Sequence, residues 1–227
     1  ILAGGHGTFN PEPYADFFDA FFIGEADLAW PKILGLLLEM ENEPRAEKLR
    51  CLATTVDGLY VPQFYQTEER EGWVVVSDCA QGMPQPVRRV FVPDLEQAPA
   101  VCRPVVPVAE TAHERTVLEI LRGCPHGCRF CQAGMVTRPV RERSAATLLE
   151  QARAGAAATG YDEIGLLSLS STDHSQFDEL VEKLDAEFAP RRISLSLPSL
   201  RVNAALADVP RRFKSVRKSG LTLAPEA

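Results

Sequence analysis

The sequence predicts an α/β protein built on parallel strands, and three observations predict it. Residues 113–227 alternate strand-like and helix-like apolar patterns until four strands have passed. Residues 1–43 open on a β-like run that ends in glycines. Residues 44–112 between them are rich in proline and carry only short β-like runs.

Composition bounds the function. The chain has 227 residues, 45% hydrophobic and 24% charged, which suits a folded core and not a disordered chain. Its formal charge of −7 disfavours wholesale binding of a polyanion. No run approaches the roughly 20 apolar residues of a membrane span. With no signal-like opening, the cytoplasm is the expected compartment, and six cysteines there call for an explanation other than disulfides. Both ends read as the middle of a longer protein: the chain opens Ile1-Leu2-Ala3 and stops just past Leu221-Thr222-Leu223-Ala224.

The elements follow in order. Ile1-Leu2-Ala3 reads as a strand entering the turn Gly4-Gly5-His6-Gly7. Pro11-Glu12-Pro13 opens a helical turn, and Ala20-Phe21-Phe22-Ile23 is a buried strand stopped by Gly24. Asp27 is the expected cap of a helix with Pro31 near its start and Ile33, Leu34, Leu37 and Leu38 as its apolar face. Two strands and a helix make only the tail of a doubly wound domain. In 44–112, strands are expected at 58–61, 73–76 and 89–92, with an extended connector from Pro99 to Pro107.

From 113 on the pattern is cleaner. Thr116–Leu121 is a strand. Leu148, Leu149, Ala152, Ala156 and Thr159 have helical spacing, with Ser144 as cap and Gly160 as stop. Glu163–Ser170 is the next strand. Phe177, Leu180, Val181, Leu184 and Phe188 form a second helix face, with Ser175 and Asp178 in capping-box spacing. Ile193, Leu195 and Leu197 mark the third strand, residues 203–218 a third helix, and Leu221–Ala224 the fourth strand. Four parallel strands do not close a barrel, so either the sheet is open or further strands belong to it.

The chemistry lies in Cys124-Pro125-His126-Gly127-Cys128-Arg129-Phe130-Cys131, a C-x3-C-x2-C loop after the first parallel strand. Active sites of α/β folds lie at that end of the strands. Clustered cysteines in a reducing compartment argue for a metal. Zinc knuckles pair their cysteines and take four protein ligands, and electron-transfer clusters take four thiolates. Three thiolates on a [4Fe–4S] cube leave one iron open. His126 as a fourth zinc ligand is the bland alternative, although its place suggests the loop surface. Cys102 is a remote candidate ligand, and Cys51, Cys79 and Cys102 read better as small buried hydrophobes.

This loop resembles the signature of the radical S-adenosylmethionine (radical SAM) superfamily. Its surroundings, Glu119–Gly123, Gln132–Gly134 and Arg138–Ser144, are similar to the YgiQ-like branch, whose members carry a cobalamin-binding domain. Leu167–Asp173, Leu197–Val202 and Leu221–Ala227 agree. So do Gly4-Gly5, Asn10–Pro13, Phe18-Asp19 and Ile23–Glu25 at the front.

The resemblance implies a fold: the first four strands of a partial (β/α)6 barrel in 113–227. Ahead of it come the tail of a Rossmann-like cobalamin-binding domain in 1–43 and a β-rich linker in 44–112. It implies cluster ligation by Cys124, Cys128 and Cys131. The cluster would reduce S-adenosylmethionine, break a carbon–sulfur bond and release a 5′-deoxyadenosyl radical, with the cofactor doing the difficult chemistry. Phe130 would lie near the adenine. Ser168, Ser170 and Ser171 would hold the amino group, although the usual Gly-Gly-Glu is missing there. Arg201 would pair with the carboxylate, Glu226 would face the same mouth, and Gly4 and Gly5 would touch cobalamin. The Asp-x-His-x-x-Gly motif for the lower cobalamin ligand does not occur in these residues.

Methyl transfer from cobalamin to an unactivated carbon is one implied outcome. An RNA or protein methylthiotransferase and a non-catalytic metal-binding or redox-sensing module are the alternatives. The expected reductant is a flavodoxin or ferredoxin, and the substrate is open. With half the barrel wall absent, the chain alone is expected to be inactive. Arg138, Arg141 and Arg143 face either a substrate anion or solvent, and the basic run from Arg211 to Lys218 reads as a solvated face, with contact to tRNA or another polyanion (nucleic acid) as the alternative.

Overall fold

Strand β1 (Leu2–Ala3) pairs in parallel with β2 (Ala20–Phe22), whose three residues are all buried. The computed structural model describes residues 1–109, 111–197, 200–201 and 223–224, which separate into units 1–92 and 93–227.

In the first unit the chain between β1 and β2 makes two 3-10 turns, His6–Phe9 and Glu12–Phe17. Thr8 locks the first turn onto the sheet: its Oγ1 lies 2.8 Å from the Gly5 carbonyl and 2.9 Å from that of Phe22. Helix α1 (Trp30–Glu39) starts at Ala29 and not at Asp27; Pro31 occupies its first turn, where a missing N–H costs nothing. Its buried face also differs from the expected one. Ile33 is fully buried and Leu36 packs beside it, whereas Leu34, Leu37 and Leu38 are exposed.

The segment expected to be β-rich opens instead with helix α2 (Arg45–Thr55), which sends Leu49, Leu52 and Ala53 into the same core. Lys32 Nζ donates to the Thr55 carbonyl and ties the end of α2 to α1. Strand β3 (Leu59–Tyr60) then pairs antiparallel with β2. A hairpin follows, β4 (Tyr65–Arg70) against β5 (Trp73–Cys79). The expected strand at 89–92 is reduced to one parallel bridge between Gly24 and Val90.

The second unit carries the parallel sheet. Strand β6 (Thr116–Glu119) pairs with β9 (Glu163–Leu167), and β9 with β10 (Ser194–Ser196), all parallel. The expected first strand divides. Ile120 still donates to the Leu167 carbonyl at 3.1 Å, but β7 (Leu121–Arg122) turns away to pair antiparallel with β8 (Arg141–Glu142). Between them lies the short helix α3 (Gln132–Val136).

Helix α4 (Ala145–Thr159) is capped as expected. Ser144 Oγ accepts from the Thr147 N–H at 3.2 Å, and Gly160 closes the helix in the left-handed region, φ 70°. It lies against β6 through Gly155: a Cβ there would sit 2.4 Å from Thr116 Cγ2. Helix α5 (Phe177–Phe188) buries Phe177, Leu180, Val181, Leu184 and Phe188, the expected face. The capping box does not form. Gln176 is the cap, and Ser175 turns both its N–H and its hydroxyl to the Glu142 carboxylate.

These helices cover one face of the sheet around Leu118, Leu148, Ile164, Leu166 and Leu195. Strand β11 (Leu200–Arg201) pairs in parallel with β12 (Leu223–Ala224), so the fourth expected strand is present. The expected helix at 203–218, with the basic run on it, lies outside the described residues. No helix among the described residues is long and apolar enough to cross a membrane.

Candidate metal centre

The cysteine loop leaves β7 at Gly123 and ends on α3. Gly123 has φ 92°, and a Cβ added to it would meet the carbonyl oxygens of Pro139 and Thr137. Cys124 is buried; Cys128 and Cys131 are half-buried; all three thiols are free. Cys131 caps α3, its Sγ accepting from the Gly134 N–H at 3.3 Å. Buried Gly134 lies beside two of the cysteines: a Cβ there would stand 3.4 Å from Cys131 Sγ and 3.8 Å from Cys124 Cβ.

The donor set fits a cluster held by three thiolates, and a backbone N–H to sulfur is a bond that tunes such clusters. Among the described residues no three His, Cys, Asp or Glu side chains gather closely enough for a single metal ion. A cube is held at three corners, so its thiolates stand farther apart than the ligands of one ion.

His126 is not a free surface group. Its ring is half-buried, and Nε2 lies 2.6 Å from Asp173 Oδ2. A carboxylate only accepts, so Nε2 carries the proton. The His126 carbonyl in turn accepts from Arg138 Nη2 at 2.9 Å. Beside the loop, Glu119 at the end of β6 takes a forked pair from Arg122, 2.9 Å from Nε and 2.8 Å from Nη2.

The serine segment follows β9. Ser168 and Ser171 share a hydroxyl contact of 2.7 Å, and Ser171 is fully buried. Ser170 Oγ is buried with no hydrogen-bond partner among the described residues, as is Thr172 Oγ1. The pair His126–Asp173 thus joins this segment to the cysteine loop.

Other expected site residues fall as follows. Phe130, between the last two cysteines, is 74% exposed. Gly4 and Gly5 have open space on the side a Cβ would take. Arg201 lies in β11 opposite Ala224 of β12. Glu226 lies outside the described residues.

Arg141 and Arg143 do not face solvent. Both are buried on backbone carbonyls: Arg141 on Pro139 and Thr137, Arg143 on Ala98, each at 2.9 Å. Cys51, Cys79 and Cys102 are half-buried, and Cys79 packs against the core of the first unit. Asp173 and Gly134 are the residues that sequence reasoning missed. Asp173 stands 47 positions from its partner, and a glycine after a cysteine motif has no mark of its own.

The family model "Radical SAM proteins, N-terminal" matches residues 1–62, and "Radical SAM superfamily" matches residues 118–225. The chain is 34% identical over 111 residues to the Uncharacterized protein MJ0966 of Methanocaldococcus jannaschii. That match takes in 49% of this chain and 23% of the relative, so the chain spans about a quarter of that protein's length. The second of these family matches contains the three-cysteine loop and the two together account for most of the chain, which therefore belongs to the radical SAM superfamily.

Proposed function

We propose that the chain forms the cluster-binding part of an enzyme that cleaves S-adenosylmethionine reductively. The observation that carries this reading is the C-x3-C-x2-C loop at the carboxyl end of the first parallel strand, with Cys124 and Cys131 both beside Gly134. Cys124, Cys128 and Cys131 would hold a [4Fe–4S] cluster. When bound, that cluster supplies the electron that breaks a carbon–sulfur bond of S-adenosylmethionine and so starts radical chemistry.

The protein's own part is to bind and orient. Gly134 donates its N–H to Cys131. Buried Ser170 offers an unused hydroxyl in the segment that would meet the cofactor's amino group. Phe130 offers an exposed ring for the adenine, and Arg201 with Glu226 would complete the mouth.

The barrel reading has two supports. Strands β6, β9 and β10 stand in sequence order within one parallel sheet, and β11 and β12 form a further parallel pair. The face turned away from the helices leaves Val117 49% and Leu167 51% exposed, and parallel sheets are usually covered on both faces. That is the face a barrel would enclose.

A cobalamin-associated reaction, with Gly4 and Gly5 near that cofactor, is the finer proposal. It rests on the resemblance of the front segment to the YgiQ-like branch, and the open space beside both glycines leaves room for a ligand there. The reading calls for a one-electron donor of flavodoxin or ferredoxin type. Product analysis tests it. The intact protein, reduced anaerobically with S-adenosylmethionine, should release methionine and 5′-deoxyadenosine together, and the Cys124→Ala variant neither. A folded, iron-loaded protein that leaves the cofactor whole contradicts it.

A further inference from the structure

Two loops with separate tasks meet at one contact. The cysteine loop follows β7, the serine segment follows β9, and both stand at the carboxyl ends of the parallel strands. His126 lies midway between two of the cysteines, and Asp173 ends the 3-10 turn Ser171–Asp173. Their side chains meet at 2.6 Å while both are largely shielded from water. A hydrogen bond to a charged group in such a place is worth more than an exposed one.

The surroundings make the contact stiff. On one side the His126 carbonyl is held by Arg138, and Cys131 is held by Gly134. On the other side Ser168 and Ser171 bond each other, and the Asp173 N–H donates to the Ser170 carbonyl at 3.2 Å. The next residue is anchored too. His174 is buried, its Nδ1 accepting from the Gln176 N–H at 3.0 Å and its Nε2 donating to the Arg143 carbonyl at 2.8 Å. Neither loop therefore shifts without straining a bonded neighbour.

We infer that His126 and Asp173 are positioning residues, a latch that fixes the cysteine loop relative to the serine segment and thereby sets how S-adenosylmethionine spans the two. The inference rests on the radical SAM reading above. Each would act through the loop it belongs to. A displacement of about 1 Å between two groups that share one ligand is enough to cost much of its binding.

A double-mutant cycle tests the latch in the intact, anaerobically loaded protein, with His126→Ala, Asp173→Ala and the double variant. Iron per chain and affinity for S-adenosylmethionine are measured for each, the latter from the change it causes in the cluster spectrum. In the iron-free protein, hydrogen exchange is followed across 124–131 and 168–173. The latch predicts unchanged iron, affinity weakened about tenfold in each single variant, and no further loss in the double. Exchange should quicken in both segments after either substitution. His126→Asn, which keeps a donor, should restore part of the affinity and guards against a variant that fails to fold. Unchanged affinity, additive losses, or loss of iron along with affinity would each overturn the latch. A wild-type protein that binds no cluster, or whose cluster ignores S-adenosylmethionine, would instead overturn the radical SAM reading beneath it.

Discussion

Gly123 and Pro139 stand so close that a Cβ on the glycine would lie 2.6 Å from the proline carbonyl oxygen. The same glycine has φ 92°, a conformation that other residues adopt only at a cost. Both facts apply to the residue directly before Cys124. Gly123→Ala should therefore destabilise the loop by more than about 1 kcal/mol and lower its iron content. Gly127, inside the same motif, has nothing within 4 Å of its Cβ position. Gly127→Ala should stay within about 0.5 kcal/mol of wild type. Denaturant unfolding and iron analysis of both variants decide this, and equal losses would contradict it.

Helix α1 offers a contrast between two apolar residues five apart. Ile33 is fully buried and Leu38 is 74% exposed. Ile33→Ala should cost about 2–5 kcal/mol, the usual result of emptying a core site. Leu38→Ser should be near neutral. Melting curves of the two variants check the assignment, and a large loss at Leu38 would show that this face is covered.

Tyr60 and Tyr65 make the first unit sensitive to alkali. Their rings lie 4.6 Å apart. Burial is the main cause that raises both phenols, and the Glu12 carboxylate bonded to Tyr60 pushes it further. Tyr65 is pushed up to about 12, with Cys79 adding to burial. An unfolded tyrosine titrates near 10. The stability linked to Tyr65 is thus complete below about pH 10 and is lost as pH rises through about 12. Unfolding midpoints measured from pH 9 to 12 should fall, and less steeply in Tyr65→Phe. Parallel curves for the two proteins would contradict the assignment.

Ser144 serves α4 twice. Its Oγ accepts from the Thr147 N–H, and its own N–H donates to the Glu96 carboxylate. Burial alone would raise Glu96. The hydrogen bonds from Ser144 and Thr147, with the Arg143 charge, outweigh it and hold the carboxyl below its usual range. This contribution is present above the unfolded value of about 4.3 and is lost as pH falls through the lowered folded one. Ser144→Ala should cost about 1 kcal/mol at neutral pH. Glu96→Gln should flatten part of the acid limb of the stability curve, and an unaltered limb would contradict this.

What could be read from the sequence was what lies close together in it. Helices α4 and α5 carry their periodicity, and α4 its caps, within single stretches, and the structure keeps those faces. The three cysteines declare themselves by spacing alone. Helix α1 was harder because Leu34, Leu36, Leu37 and Leu38 leave no polar stripe to mark the outside. Arg143 reads as a surface charge, yet it is 2% exposed, since its partner is the Ala98 carbonyl and a backbone acceptor has no signature in the sequence. Ser175 reads as a cap, but Glu142 from β8 competes for its hydroxyl and wins. His126 and Asp173 belong to the same class: the bond that joins them is made by the fold.

The central claim is that Cys124, Cys128 and Cys131 hold a cluster with one iron left open. It is tested most directly by electron paramagnetic resonance of the anaerobically reconstituted, reduced protein, with and without S-adenosylmethionine. The account predicts about four irons per chain and a cubane signal that changes when the cofactor is added and is lost in Cys128→Ala. Zinc in place of iron, or a cubane signal that survives in Cys128→Ala, would contradict it.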